Sequence, residues 1–250
     1  MYERLIWKPD RMLLDDLVFR LEYFKSDEWD GGDACFSFYK TKELLDQFHA
    51  FFSLHPGFHP RQVFELGIFD GGSSVFWNEY FNPVKLVAID ILDRADSPYF
   101  RSYVESRDLA GRVKTLWKVD QENKDGLFSI VMEEFAGKLD LVIDDASHMY
   151  APTRASFEAL FPFCNPGGFY IIEDWAWGHW PDFIKPDHPW ANQEVLTKLV
   201  TELVEAAGTS PLLVSNMTVY QGFVVIERGP LQINNPKEFN LEQHIVRRQG

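Results

Sequence analysis

Cysteine is nearly absent: 250 residues contain only Cys35 and Cys164, far apart and in no C-x-x-C spacing. That excludes a disulfide framework and a zinc site built on thiolates. No apolar run approaches the length that crosses a bilayer, and Met1-Tyr-Glu-Arg4 lacks the charged-then-apolar pattern of a secretory leader. A soluble, cytoplasmic protein is therefore expected. Cations are scarce, with 24 Lys and Arg against 38 Asp and Glu and a formal charge of −14. Nucleic acid and anionic membranes need cationic partners, so both are counted out, and a neutral or cationic small molecule is the better fit. Internal repeats and low-complexity segments are also missing.

What is present is a core. Hydrophobic residues make up 46% of the chain and aromatic residues 16%, enough for one large α/β domain. In residues 10–25, Leu13, Leu14, Leu17, Val18, Leu21 and Phe24 recur at three-to-four spacing, which predicts an amphipathic helix. Residues 26–33 are polar, end in Gly31-Gly32, and read as a loop. A second helix is expected from Thr41, as N-cap, to about Ser53, with Pro56-Gly57 beyond its end. Residues 1–58 thus read as an N-terminal helical extension that could act as a lid.

From Arg61 the pattern changes. Val63-Phe-Glu-Leu66, Leu86-Val-Ala-Ile89, Val113-Lys-Thr-Leu-Trp117, Leu141-Val-Ile143 and Phe169-Tyr-Ile-Ile172 are strand candidates. Helical stretches near 73–81, 99–110, 127–135 and 153–163 alternate with them, which predicts a Rossmann-like, doubly wound, mostly parallel sheet. Runs at 212–220 and 222–227 lie close enough to form an antiparallel hairpin capping one sheet edge. Residues 59–230 form the expected main domain, and 231–250 a surface tail.

The first strand runs into Glu65-Leu-Gly67-Ile-Phe-Asp-Gly71-Gly, a strand followed by a glycine turn and a helix. Gly67 lets a ligand approach the backbone and Gly71 makes the turn. Acids end the next strands: Asp90 suits a ribose diol, and Asp120 an exocyclic amine. An ordinary strand–helix loop is the plain alternative for the glycines, but it leaves three successive strand-end acids unexplained. This pattern resembles the class I S-adenosylmethionine-dependent methyltransferases over roughly residues 60–228. The resemblance implies Glu65 near the methionine ammonium, Gly67 and Gly71 along the cofactor, and Asp90 on the ribose. Asp120 matches more loosely.

A second constellation is more specific: Asp144-Asp-Ala-Ser-His148, then Ile171-Ile-Glu-Asp174 at the end of the following strand. Carboxylates at the ends of parallel strands face one crevice. Asp145, Glu173 and Asp174 offer hard oxygens, which favour Mg²⁺, Ca²⁺ or Mn²⁺ over softer metals, and His148 stands beside them as a base. The motif is similar to the metal-dependent macrolide and sugar O-methyltransferases and to cephalosporin-hydroxylase-type proteins. The resemblance implies Asp145, Glu173 and Asp174 on Mg²⁺ and His148 as catalytic base, with Ala146 where glycine is usual.

Bland readings stand beside these: Asp144 and Asp145 as helix-capping acids, Glu173-Asp174 as a solvated turn. Trp175, Trp177, Trp180 and Trp190 suit either a sugar ring or a hydrophobic plug over the sheet. The expected activity is Mg²⁺-dependent methyl transfer from S-adenosylmethionine to a hydroxyl of a small secondary metabolite, with homo-oligomerisation left open. Its rivals are other chemistry on the same scaffold and a non-catalytic protein that only holds the cofactor.

Overall fold

The computed structural model describes residues 1–22 and 34–247. The expected loop at 26–33, and Phe24 of the expected first helix, lie outside them. The first described elements are strands: β1 (Leu5–Trp7), β2 (Arg11–Leu14), β3 (Leu17–Leu21) and β4 (Phe36–Phe38). They form a small sheet in that order, antiparallel except for the parallel β3–β4 pair.

The helix expected over 10–25 is therefore corrected to a β-hairpin. Asp15, at φ 53°, turns the chain between Leu14 and Leu17, which face each other across the hairpin. Met12, Leu14, Leu17, Phe19 and Leu21 are buried at every second position, the period of a strand with one face covered. The second expected helix is present as α1 (Lys42–Ser53), and the Thr41 hydroxyl accepts from Leu44 N at 3.2 Å as its N-cap.

The main body follows the expected alternation: β5 (Gln62–Leu66), α2 (Gly72–Phe81), β6 (Lys85–Asp90), α3 (Pro98–Ser106), β7 (Val113–Trp117), α4 (Lys124–Phe135), β8 (Leu139–Asp144), α5 (Tyr150–Leu160), β9 (Cys164–Glu173), α6 (Thr197–Thr209), β10 (Val214–Val219) and β11 (Phe223–Arg228). The strands form one seven-stranded sheet in the order β10-β11-β9-β8-β5-β6-β7. Strands β5 to β9 pair in parallel, while β11 runs antiparallel to β9 and β10 antiparallel to β11. The order reverses between β5 and β8, and a crevice opens beyond the strand ends at such a switch point.

Alternate residues divide the core. Phe64, Leu66, Val142, Tyr170 and Ile172 pack with α4, α5 and α6 on one face. Val63, Ala88, Ile143, Phe169 and Ile171 share the other with α1, α2, α3 and the small sheet. The segment from 231 is corrected as well: Phe239, Leu241 and Ile245 are buried in the first core cluster, and Leu241 N donates to Glu158. Its polar composition hides three apolar anchors. No helix among the described residues is long and apolar enough to cross a membrane.

Candidate active site

A cavity of about 540 Å³ opens where β5, β6, β8 and β9 end. Gly67, Asp90 and Asp120 line one part of it, and Asp145, His148, Glu173 and Asp174 another. Ser37, Tyr39 and Lys40 bring the N-terminal region into its wall.

On the β5–β6 side, the backbone does most of the positioning. Gly67 has φ +98°, and a Cβ there would sit 2.2 Å from the Asp145 carbonyl oxygen. Only glycine fits so close to the β8 loop, whose Asp145 N in turn donates to Leu66 O at 2.9 Å. Gly71, at φ +84°, caps α2 with Phe100 packed where a side chain would project. Asp90 accepts from Ile68 N and Phe69 N through Oδ2 and from Leu92 N through Oδ1, each at 2.9 Å, which pins the glycine turn to the end of β6. Asp120 is exposed and accepts from Glu122 N at 2.9 Å.

Glu65 is fully buried beneath this turn. Its Oε2 accepts from the Ser74 hydroxyl at 2.5 Å, while Oε1 has no hydrogen-bond partner among the described residues. Burial pushes its carboxyl up to about 7, against the opposing pull of the Ser74 and Ser73 hydroxyls and of the Lys40 charge. An acid left half-satisfied in the interior fits a cationic donor arriving with a ligand.

On the β8–β9 side, Asp145, His148 and Asp174 each offer one ligand atom, all within 4.8 Å of one another. His148 Nε2 lies 3.9 Å from Asp145 Oδ1, and Nδ1 is buried with no hydrogen-bond partner among the described residues. His148 and Asp174 both hold left-handed backbone, at φ 56° and 52°, a conformation uncommon outside glycine and frequent at functional sites. Ala146 is not among the left-handed residues, so the turn has no need of the usual glycine. Burial raises the Asp174 carboxyl, and the neighbouring His148 pulls the other way.

Glu173 departs from this group. Strand alternation sends it to the face it shares with Phe169 and Ile171, where both of its oxygens lie 2.7 Å from Lys40 Nζ. Lys40 also donates to Asp145 Oδ2 at 2.8 Å. Burial works against the Lys40 charge, but Asp145 and Glu173 outweigh it and hold its pKa above the ordinary lysine value. Burial and the Asp145 charge raise the Glu173 carboxyl, and Lys40 opposes them.

Asp144 serves the turn from below. It accepts from Ser156 Oγ at 2.7 Å and from Tyr170 OH at 2.9 Å, and burial raises its carboxyl to about 6. Gln121 Nε2 donates to Ser156 Oγ at 3.3 Å, while its Oε1 accepts from Ser147 N, joining this network to the His148 loop. Of the tryptophans, Trp177 is buried and donates to His148 O, and Trp175 donates to Tyr220 O. Those two support the loop rather than present faces to a ligand. Lys40 and Gln121 were not singled out from sequence. Gln121's only signal is its place after the Asp120 strand end, and Lys40's is its place just before a helix cap.

Known proteins resemble this chain in sequence and fold. Residues 64–175 match the model of a methyltransferase domain. Demethylmacrocin O-methyltransferase of Streptomyces fradiae is 31% identical over 188 residues, 67% of this chain and 44% of that protein. Mycinamicin VI 2''-O-methyltransferase of Micromonospora griseorubida is 35% identical over 129 residues, 49% of this chain and 29% of that protein. This chain thus spans less than half the length of either relative. The MycE methyltransferase of the mycinamycin pathway, solved in complex with Mg, SAH and mycinamycin VI, superposes with a TM-score of 0.56 at 28% identity. That match covers 73% of this chain and 49% of the other.

Proposed function

We propose, on the premise that residues 64–175 are a methyltransferase domain, that this chain moves a methyl group from S-adenosylmethionine to a hydroxyl of a small, sugar-bearing secondary metabolite. The observation that carries the reading is one cavity lined both by the glycine turn with Asp90 and by the Asp145–His148–Asp174 group. When bound, the sulfonium donor supplies an electrophilic methyl and a divalent ion such as Mg²⁺ lowers the pKa of the acceptor hydroxyl.

The residues fit these groups. The unpartnered Glu65 Oε1 would take the donor's ammonium, Asp90 its ribose hydroxyls and Asp120 an exocyclic amine, with Gly67 giving backbone access and Gly71, packed on Phe100, making the turn. Asp145 and Asp174 would hold the ion, while Glu173, the third acid of the expected set, is paired with Lys40 beside them. His148 is the general base: Nε2 takes the hydroxyl proton, and the adjacent Asp145 carboxylate stabilises the imidazolium that forms. The buried Trp177 and the Asp144–Gln121–Ser147 links hold that imidazole's loop in place while the proton moves. His148, still partly open to solvent, then passes the proton to water and returns to its neutral form as the methylated product leaves.

The test is transfer of tritiated methyl from S-adenosylmethionine to a panel of glycosylated macrolides. Wild-type protein with Mg²⁺ should label an acceptor, EDTA should stop it, and His148→Ala should slow it about 10²–10⁴-fold. Binding of S-adenosylhomocysteine without labelling of any acceptor would favour a cofactor-holding protein. No binding of S-adenosylhomocysteine would remove the donor assignment altogether.

A further inference from the structure

Lys40 enters the carboxylate group from outside the matched domain, on the short connection between β4 and the Thr41 cap of α1. It is only 3% exposed, and its three contacts, with Asp145 Oδ2 and both Glu173 oxygens, match the three donors of an ammonium. Its Nζ lies 6.0 Å from the centre of the Trp77 ring, within reach of that aromatic face. Glu173 is 2% exposed, and a carboxylate buried that deeply must be paired. Asp145 divides its oxygens: Oδ2 goes to Lys40, and Oδ1 faces His148 Nε2.

From this division we propose that Lys40 is a positioning residue: it keeps Glu173 as its own counter-ion, outside the direct ligand set, and leaves Asp145 Oδ1 to the divalent ion, whose binding its charge opposes. The inference rests on the divalent-ion reading above and deepens it. An ion near Asp145 and Asp174 then meets a balanced Lys40–Glu173 pair instead of a third ligand. Removing either partner alone unbalances the site; removing both restores the balance at lower polarity.

The experiment is titration with Mn²⁺ alone, followed by electron paramagnetic resonance of the free ion, beside thermal melts in EDTA. Lys40→Met should lower the metal-free Tm by about 10 °C, because the buried Glu173 and the half-buried Asp145 lose their cation. Its Mn²⁺ affinity should rise about tenfold as the competing charge disappears. Glu173→Gln should weaken Mn²⁺ about tenfold, leaving Lys40 uncompensated. Lys40→Met/Glu173→Gln should return to within about threefold of wild type, the result expected when Glu173 acts only through Lys40.

A double variant as weak as Glu173→Gln would make Glu173 a direct ligand and overturn the inference. Unchanged Mn²⁺ affinity in Lys40→Met would overturn it too, leaving a merely structural ion pair. The neutral double variant lacks a buried unpaired charge, so it decides the matter even where Lys40→Met does not fold. Wild-type protein that takes up no Mn²⁺ yet binds S-adenosylhomocysteine would remove the divalent-ion reading beneath the inference while sparing the donor half.

Discussion

Asp90, at the end of β6, spends its oxygens on the backbone amides of Ile68, Phe69 and Leu92. Across the cavity, at the ends of β8 and β9, Asp145 and Glu173 are held by the side chain of Lys40, 105 and 133 residues earlier in the chain. The same functional group is thus fixed in two ways. Backbone amides come from the adjacent turn, so the β5–β6 side is assembled by the domain's own strand–turn–helix unit. The β8–β9 side is finished only when the N-terminal segment docks. The Asp90 clamp needs only the matched domain, although Ser37 N also donates to Asp70 in the turn, whereas the Asp145–Glu173 arrangement needs Lys40.

The largest expected effects test whether the two sides are separable. In Asp145→Asn, methyl transfer should fall by at least about 10³-fold and Mn²⁺ binding should be lost, since a neutral amide replaces a hard anionic ligand. S-adenosylhomocysteine affinity, measured by calorimetry, should stay within about threefold. Loss of that affinity would move Asp145 to the donor side and dissolve the contrast. Asp90→Ala should do the reverse, costing about 1–3 kcal/mol in S-adenosylhomocysteine binding, the scale of charge-assisted hydrogen bonds, with Mn²⁺ affinity unchanged. Part of that loss would come through Ile68 and Phe69, whose amides lose their acceptor. Unaltered S-adenosylhomocysteine binding would leave Asp90 as a brace for the turn and no more.

The two sides also differed in how far the sequence revealed them. Strands β5, β6, β8 and β9 were legible because each carries an apolar run buried on both faces and bounded by a helix, whereas β7, at the sheet edge, is only partly covered. The glycine turn announced itself by Gly67 and Gly71, both of which hold positive φ. The carboxylate pairs were visible, but their division was not. Glu173 and Asp174 are adjacent in sequence, and only strand parity followed by the left-handed turn at Asp174 sends one to Lys40 and the other to His148.

Lys40 was invisible because its partners are far away in sequence and nothing local distinguishes it from a solvated lysine. The N-terminal hairpin was misread for a different reason. Leu14, Leu17 and Leu21 satisfy a three-to-four spacing when the turn at Asp15 is ignored, and the alternation of Met12 with Leu14, and of Leu17 with Phe19, shows once that turn is placed. Helix α6 needed no tertiary information, since Leu199, Val200, Leu203 and Ala206 keep helical spacing, and it simply went unmarked.

The smallest expected effect sharpens the contrast by placing a titrating acid on the backbone-held side. Glu65 has its carboxyl raised to about 7 by burial, although the Ser74 hydroxyl lowers it. A carboxyl raised in the folded state contributes stability that is full below its ordinary pKa and lost as pH rises through about 7. The metal-free protein should therefore lose stability across that window, and Glu65→Gln should flatten the loss. Binding of a cationic ammonium has the opposite sign, because it needs the ionised acid and the proton competes with it. S-adenosylhomocysteine affinity should accordingly rise about tenfold between roughly pH 6 and 8, with Glu65→Gln weaker and flat over the same range. A wild-type affinity that does not change with pH would mean that the ammonium is held elsewhere. The unpartnered Oε1 would then belong to the fold of the turn and not to its ligand.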